Sequence, residues 1–570
     1  MQPSVLAKRA WFLLFAAIAV FYLWGLGSLP LVGPDEPRYA EVAREMWSRH
    51  DLITPTLGGL PWFEKPPLLY WMMMASYRVF GVTEYAARLG PAICGLLTAG
   101  FVYWLGRAIE NSRPIEGRSQ EKIEPEHAGL GRWSALVWLS SLGATTFSRG
   151  ASFDIVLTMT VTAALSCFFV AEVRTANYSS PSERGLGKGE KHSDGARRII
   201  IAFYFFAGLS LLAKGLIGFV IIFGVIALYY IIRRQWPEPP LMKSLLWGIP
   251  FSLLIAGVWY GPIIARHGWK FIDQFIIQHH FARFISNKYH HPGPIYFYLP
   301  VLIGLSVPWT IFFGASLWSS RRWIWRGPAA LDRARVFALA WVILPVVFFS
   351  FSGSKLTAYI LPVLPAVALL VGERIVCFLK DERGEKVLRL TGALLILLAV
   401  GGLWYADRRF GVGLYRLGLA ALPLFVVGIA GLMRPSWRKP LFVLIAIAAI
   451  ASSAIALKLI APGAARTESV RDLLAAAAAR GYSTTPVVQL HTLERTAEFY
   501  AANRMTYGSD GEPVWFEGVI PVVDAARRNN GLVLCFIPVQ FESQLTTYKG
   551  AQSEVIADNG RVALVAVRVK

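Results

Sequence analysis

The sequence predicts a polytopic α-helical membrane protein, and two features of its composition and one of its hydropathy pattern support that class. Hydrophobic residues make up 55% of the 570 positions, whereas charged residues make up only 16%. Soluble globular proteins carry about 25% charged residues, and disordered chains are poor in apolar residues, so both classes are excluded. Apolar stretches long enough to cross a bilayer recur along the chain as far as residue 460.

About thirteen apolar stretches are long enough to form transmembrane helices. The first follows Lys8 and Arg9. We interpret it as a retained span, because it is longer than the apolar core of a signal peptide and no small-residue cleavage pattern follows it. The stretches predict a transmembrane domain over residues 1–460, with spans at 11–31, 85–106, 132–147, 152–173, 199–213, 215–233, 243–265, 295–316, 335–352, 356–380, 387–406, 414–433 and 439–460.

Basic residues cluster in alternate connections between the predicted spans. Cytoplasmic loops of membrane proteins collect Lys and Arg, so this distribution predicts a cytoplasmic N-terminus and an outer C-terminus. The same rule accounts for the formal net charge of +21, and we predict no nucleic-acid partner. The four cysteines are far apart and show neither zinc-ligand spacing nor a disulfide framework.

Three regions are predicted to lie outside: a first loop at 32–84, a loop at 266–294, and a tail over 461–570. In the tail an Ala-rich helix at 467–480 precedes short strand-like runs, which predicts a small α/β domain. The predicted strands are 486–490, 514–516, 532–537 and 562–569.

The first outer loop contains the segment Gly-Pro-Asp-Glu-Pro-Arg-Tyr-Ala-Glu at 33–41, which predicts the start of an amphipathic interfacial helix. Asp35 lies three and four residues before Arg38 and Tyr39, so the three side chains share a face. Asp35 or Glu36 could simply cap the helix. Two adjacent acids close to the bilayer surface are costly, however, and this favours a functional role.

A second motif in the same loop is Phe-Glu-Lys-Pro-Pro-Leu at 63–68, followed by an apolar run to residue 80 that is too short to span a membrane. This run predicts another interfacial helix. Glu64 and Lys65 are either a surface ion pair or an acid or metal ligand beside a phosphate-binding cation, and the residues alone leave both interpretations open.

Further polar residues stand at the outer ends of predicted spans: Asp154, Lys214, Lys355 and Tyr359. Snorkelling toward lipid headgroups would explain each lysine. Their common side of the membrane also allows them to converge with the first loop into one polar cavity, and Lys355 and Tyr359, four residues apart, could both face it.

The outer loop 266–294 holds five of the nine histidines, among them His280, and also Arg283. Histidines here could bind a divalent metal together with Glu64 or Asp154, or they could cap turns or contact phosphate. No ligand pair with a known metal spacing is present, so a metal cofactor remains an open alternative.

Taken together, the outer face is predicted to carry acids near the interface, isolated cations and a many-span apolar body. A substrate with a phosphate and a long apolar tail suits this combination. The cations would bind the phosphate, the spans would accommodate the tail, and an acid would act as a base or orient the attacking group.

The motifs at 33–41 and 63–68, together with Lys214-Gly215, His-Phe-x-Arg-Phe at 280–284 and Lys-Leu-x-x-Tyr-Ile-Leu-Pro at 355–362, resemble those of the lipid A aminoarabinose transferases. These enzymes belong to the polyprenyl-phosphate-dependent membrane glycosyltransferases, which include the protein O-mannosyltransferases. The resemblance extends over the whole chain and implies the GT-C fold. It also implies a bacterial inner-membrane enzyme with a periplasmic active site, which takes a sugar from undecaprenyl phosphate for a lipid A phosphate and acts in polymyxin resistance.

The resemblance further implies roles for individual residues. Asp35 is expected to be the catalytic carboxylate, and Asp154 a supporting acid. Glu64 and His280 are expected to be metal ligands or cavity acids. The residues expected to bind the carrier or acceptor phosphate are Arg38, Tyr39, Lys65, Lys214, Arg283, Lys355 and Tyr359.

Two alternatives to aminoarabinose transfer follow from the same features. Relatives with these motifs could transfer another sugar, such as mannose, to a protein or glycan. A transporter for lipid-linked sugars would also need spans and cations, but transporters tend to have repeated halves with broken helices at mid-membrane. The polar residues here gather at one face, which favours an enzyme.

Overall fold

The computed structural model of the protein describes residues 5–112, 128–178, 189–282, 293–380, 384–410, 413–508 and 511–569. The described chain is mainly helical as far as residue 479. The first ten helices are α1 (Val5–Leu23), α2 (Asp35–Ser48), α3 (Leu68–Phe80), α4 (Glu84–Glu110), α5 (Leu130–Ser140), α6 (Leu142–Ser148), α7 (Phe153–Tyr178), α8 (Gly189–Lys214), α9 (Leu216–Arg233) and α10 (Pro239–Phe271).

A π-helical segment, Ile272–Ala282, follows α10, and a positive φ of 55° at Gly268 bends the chain just before it. The second half of the helical body contains α11 (Tyr298–Leu305), α12 (Thr310–Ser319), α13 (Ala330–Ser350), α14 (Leu364–Lys380), α15 (Glu385–Phe410), α16 (Leu414–Met433) and α17 (Arg438–Leu459). Short 3₁₀ helices extend α12 at Ser320–Arg322 and precede α14 at Thr357–Val363.

Ten helices in the described residues are long and apolar enough to cross a membrane, or eleven if the bent pair Tyr298–Leu305 and Thr310–Arg322 is one span. The protein is therefore a multi-pass membrane protein. Two further predicted spans correspond to α1 and to the short helices α5 and α6, which do not meet that criterion. The count of thirteen thus remains a prediction.

The first outer loop folds into α2, a two-strand turn and α3. Strands β1 (Thr56–Leu57) and β2 (Leu60–Pro61) pair antiparallel around Gly58 and Gly59, which both have positive φ. Glu45 of α2 holds this turn, because its carboxylate accepts hydrogen bonds from the Gly58 and Gly59 amides at 2.6 and 3.1 Å. The turn is thereby fixed to the helix that begins with Asp35.

The C-terminal region forms one four-stranded mixed sheet with helices on both faces. Its strands are β3 (Val487–Gln489), β4 (Leu532–Pro538), β5 (Gln552–Asp558) and β6 (Val562–Arg568), in the order β3-β4-β6-β5. β3 is parallel to β4, and the other two pairs are antiparallel. The helices of this region are α18 (Ala461–Glu468), α19 (Arg471–Ala479), α20 (Thr496–Tyr500), α21 (Val519–Arg528) and α22 (Ser543–Thr546).

Alternation along β4 explains the layers of this region. Leu534 and Phe536 face a core shared with α19, whereas Val533 and Cys535 face a second core shared with α21. A strand places successive side chains on opposite faces, so one apolar run supplies two cores.

The sequence prediction differs from this region in three places. An extended residue, Ser469, separates α18 from α19, where one helix was expected. The run 514–516 forms only an isolated bridge through Phe516 to Leu490, because it lacks a continuous partner. The prediction also missed β5, whose residues alternate with polar side chains on the more exposed edge of the sheet.

The C-terminal region packs onto the first outer loop through α20. The Arg44 guanidinium of α2 donates a 2.9 Å hydrogen bond to the carbonyl of Phe499 and lies 5.0 Å from its ring centroid. The Tyr500 hydroxyl bonds Glu84 at 3.0 Å and accepts from the amide of Leu31 at 2.8 Å. These contacts tie the tail to both ends of the loop.

Candidate functional site

Asp35 opens helix α2 and carries an exposed carboxylate. The N-cap position is Pro34, and no side chain caps the helix. Asp35 makes no hydrogen bond or ion pair with the described residues. The capping interpretation therefore does not account for Asp35, and its carboxylate is available to a substrate.

Glu36, the neighbouring acid, is a structural residue. It is buried and forms two 2.7 Å hydrogen bonds with the Arg88 guanidinium of α4, and it also accepts from the amides of Val32 and Ala151. Burial disfavours the carboxylate, but Arg88 and the two amides outweigh burial and hold the pKa of Glu36 below its usual value. Glu36 thereby fixes the start of α2 to α4 and to the segment just before α7.

Tyr39 is buried close enough to Asp35 and Glu64 for both charges to act on it. Its ring packs edge-on against Phe153, with centroids 4.8 Å apart, and Tyr70 packs against the same ring at 5.2 Å. Burial, and then the negative charges of Asp35 and Glu64, raise the pKa of Tyr39 well above its usual value. Its hydroxyl therefore remains a neutral hydrogen-bond donor beside carboxylates.

Glu64 and Lys65 form a direct ion pair, and both side chains are largely buried. Arg38 approaches the other oxygen of Glu64 at 3.8 Å and lies 5.3 Å from the Trp62 ring centroid. The interpretation of Glu64 and Lys65 as an exposed surface ion pair is therefore wrong, because the pair is largely buried. Glu64 is neutralised from two sides by cations of the first loop.

The C-terminal region adds an acid that the sequence analysis missed. Glu498 of α20 is fully buried, lies 3.5 Å from Arg38, and accepts a 2.9 Å hydrogen bond from Arg495. Arg495 in turn pairs with Glu512. No local pattern in the sequence could have identified Glu498, because its partner lies 460 residues earlier in the chain. Its burial in a short helix, which indicates a role, is seen only in the structure.

Asp154 and Lys214 meet at the ends of two long helices. Asp154 lies in the first turn of α7 and pairs directly with the ammonium of Lys214, the last residue of α8. The Lys214 ammonium also lies 4.8 Å from the ring centroid of Tyr359. Lys214 thus contacts both Asp154 and Tyr359, which were selected separately from the sequence.

Lys355 is held differently from the other lysines. Its ammonium donates a 2.7 Å hydrogen bond to the carbonyl of Ser352, and it pairs with no carboxylate among the described residues. The chain around Tyr359 is a 3₁₀ helix that starts after Leu356, so the four-residue spacing does not place Lys355 and Tyr359 on one α-helical face. Within the described part of the chain Lys355 therefore has no counter-ion, which leaves its charge available to an anionic ligand.

The described residues contain no group of three or more His, Cys, Asp or Glu side chains that could hold a metal ion. Glu64, the proposed ligand, is flanked by Lys65 and Arg38, which is an unfavourable setting for a further cation. Arg283 and the side chain of His280 lie outside the described residues. A metal role for Glu64 and His280 therefore remains a prediction.

Comparisons with known proteins identify the relatives of the chain. Residues 9–116, which include the first outer loop, match the family model described as dolichyl-phosphate-mannose-protein mannosyltransferase. Over 417 residues the chain is 30% identical to an undecaprenyl phosphate-α-4-amino-4-deoxy-L-arabinose arabinosyl transferase of Sodalis glossinidius, covering 72% of this chain and 66% of the relative. An enzyme of the same name from Pseudomonas aeruginosa is 28% identical over 445 residues, covering 76% and 72%.

The fold is also that of a solved protein. The crystal structure of ArnT from Cupriavidus metallidurans bound to undecaprenyl phosphate superposes with a TM-score of 0.76, covering 98% of both chains at 23% identity. The chain aligns with just under two thirds of the Sodalis relative's length. The resemblance predicted from the sequence is confirmed: the chain is similar to the polyprenyl-phosphate-dependent membrane glycosyltransferases, among them the aminoarabinose arabinosyl transferases.

Proposed function

We propose that the protein is an integral membrane glycosyltransferase that transfers 4-amino-4-deoxy-L-arabinose from undecaprenyl phosphate to a phosphate of lipid A. The observation that carries this proposal is Asp35, an exposed carboxylate with no ion-pair partner among the described residues, whose charge acts on Tyr39 together with the charges of Glu64 and Asp154. Glu64 and Asp154 are in turn paired with the partly buried Lys65 and Lys214. The names of the curated relatives supply the donor.

In the proposed reaction an acceptor oxygen attacks the anomeric carbon of the sugar, and the bond from that carbon to the undecaprenyl phosphate oxygen breaks. The electron pair of that bond leaves with the phosphate, where negative charge grows. Lys355, Lys65 and Lys214 are the cations placed to stabilise it. Lys65 and Lys214 must exchange a carboxylate partner for the phosphate, whereas Lys355 needs only to leave a backbone carbonyl.

The role of Asp35 depends on the acceptor. A lipid A phosphate is already anionic, so Asp35 would orient the acceptor or the amino sugar, whose ammonium group a free carboxylate would bind. A hydroxyl acceptor would instead lose its proton to Asp35 as the general base. Asp154, bound to Lys214, keeps that lysine at the cavity and is a supporting acid.

The proposed topology is thirteen crossings in a bacterial inner membrane, with the candidate site and the C-terminal α/β domain, residues 461–570, in the periplasm. The ten candidate spans, α1, the α5–α6 pair and the bent α11–α12 pair would supply thirteen crossings. An Asp524→Cys variant should react with an impermeant maleimide in spheroplasts, whereas an Arg326→Cys variant should react only after lysis. The opposite pattern would reverse the orientation.

The direct test uses purified protein in lipid with undecaprenyl-phosphate aminoarabinose and lipid A. A gain of one aminoarabinose in the lipid A mass is expected. Asp35→Asn should lower turnover by more than about a hundredfold and leave binding of undecaprenyl phosphate itself unchanged. Asp524→Asn removes an exposed carboxylate on α21 and should be normal, which makes it the matched control.

Three outcomes would contradict the proposal. No mass shift with folded protein and intact lipids would remove the lipid A acceptor, although release of undecaprenyl phosphate could still report another acceptor. Near-normal turnover in Asp35→Asn would refute its catalytic role. Movement of the donor across vesicles without any bond cleavage would favour a transporter.

A second candidate is transfer of mannose from a polyprenyl phosphate to a protein or glycan. The match of residues 9–116 to the mannosyltransferase model favours it. Release of polyprenyl phosphate from a mannosyl donor, but not from an aminoarabinose donor, would select this alternative.

A further inference from the structure

A basic pocket lies at the end of the helical body opposite the candidate site. It has a volume of about 280 Å³ and lies between α12, α13, α14 and the start of α15. Its charged lining consists of Arg321, Arg322, Arg335, Arg374 and Glu373. α13 separates it from the segment that carries Lys355, and its 21 residues span roughly 30 Å.

Glu373, the one carboxylate among the described residues that line the pocket, already has partners within the protein. Glu373 is bound by the guanidinium of Arg335 through two nitrogens, and it also accepts from the thiol of Cys377 at 3.1 Å. Arg335 has a second acid, Asp332, at 3.6 Å. The charge of Arg335 is therefore balanced within the protein.

Among the described residues, the other three arginines have no counter-ion. Arg321, Arg322 and Arg374 pair with no carboxylate of the described residues. The Nε of Arg374 is buried and has no hydrogen-bond partner there. A buried guanidinium nitrogen without an acceptor is costly unless a ligand supplies one. The pocket thus has the donors for an oxyanion such as phosphate.

Aromatic residues extend the pocket toward an apolar surface. Trp318 is 68% exposed and Ile324 is 66% exposed. The Arg321 guanidinium stacks 3.6 Å from the Trp318 ring centroid. Exposed tryptophan beside arginine is typical of the membrane–water interface, where headgroup and acyl chains meet. A small free anion would make no contact with these apolar residues, whereas the acyl chains of a lipid would.

We propose that this pocket binds the phosphate-bearing headgroup of an anionic membrane phospholipid. Arg374 and Arg322 would contact the phosphate, Arg321 would cover it from Trp318, and the acyl chains would lie along the exposed apolar residues. Basic pockets between helix ends at one membrane face recognise such headgroups. The site is independent of the glycosyl transfer chemistry at the other end of the helices.

The test measures lipid binding to the delipidated full chain by native mass spectrometry, with phosphatidylglycerol, cardiolipin and phosphatidylcholine. The wild-type protein should bind the two anionic lipids more tightly than phosphatidylcholine. Arg374→Gln, and separately Arg321→Gln, should raise the dissociation constant for the anionic lipids about fivefold each. Arg326→Gln is the matched control, because it removes the same charge from an exposed residue of the same loop outside the pocket.

Equal loss in Arg326→Gln would show that net surface charge, and not the pocket, attracts the lipid, and would overturn the proposal. Competition by millimolar inorganic phosphate alone, without a preference among lipids, would identify a free anion site instead. Arg321 is exposed and its guanidinium lies on the Trp318 ring, so its substitution keeps the test valid if Arg374→Gln fails to fold.

Discussion

Glu41 should make the stability of the junction between α2 and α20 depend on pH. Its carboxylate is 1% exposed. Burial, reinforced by Glu45 and Glu498, raises its pKa from 4.5 to about 7 although Arg44 pairs with it. A carboxyl whose pKa rises by that amount on folding costs about 3 kcal/mol when it is fully ionised.

The sign follows from proton binding. Between pH 4.5 and about 7 the folded protein holds a proton that the unfolded chain has released, so stability falls as the pH rises through this window and then levels off. Glu41→Gln removes the titration. Arg44 retains the carbonyl of Phe499 as its acceptor and the ring beneath it, so the variant should fold.

The assay is thermal unfolding of the wild type and Glu41→Gln in detergent between pH 5 and pH 8, with the difference between the two proteins as the readout. The variant should gain up to about 3 kcal/mol relative to wild type by pH 8. Burial also raises the pKa of Glu498, which acts in the same direction in both proteins, so the difference keeps only the part that depends on the charge of Glu41. Parallel pH profiles would refute a neutral-range pKa for Glu41.

Three further predictions concern the site. Arg88→Met leaves the carboxylate of Glu36 buried and without its arginine, and should lower stability by about 3–5 kcal/mol in thermal unfolding. An unchanged midpoint would contradict a stabilising role of the Glu36–Arg88 pair. Lys214→Gln should lower kcat about 100-fold or more, because it removes a cation from the developing phosphate charge, and steady-state kinetics with a saturating donor would detect it. Lys355→Met should mainly raise KM for the donor, because its ammonium has no carboxylate to release; an unchanged KM would exclude that lysine from donor binding.

Local sequence patterns predicted those features of the site that depend on neighbouring residues alone. The start of α2 followed from the proline and acids before a helical apolar stripe, and Lys214 was visible as a lone cation between two apolar runs. The sequence could not distinguish the roles of Asp35 and Glu36. The two side chains point in different directions from the helix, and their roles depend on which of them meets a partner elsewhere in the fold. That partner, Arg88, had a signal of its own: an arginine within an apolar membrane helix is costly and requires a counter-ion.

Long-range pairings were not predictable. Arg38 was expected to bind substrate phosphate, yet its contacts run to Glu64 and to Glu498 from the far end of the chain. Burial and the charges of Glu498 and Glu64 act on it in opposite directions, and the acids prevail and raise its pKa. Only the tertiary fold brings these charges together, since neither periodicity nor spacing links residues 460 positions apart.

The buried contact between α20 and the first outer loop has a consequence for building hybrid enzymes. Glu498, Phe499 and Tyr500 satisfy groups on the loop that holds Asp35, so the two regions share one interior. A chimera that exchanges residues 461–569 with those of a relative, to transplant acceptor preference, would remove the partners that Arg38 and Arg44 have in the tail and leave them with Glu64 and Glu41 of the loop. The loop 32–84 and the tail form a single cassette and would have to be exchanged together.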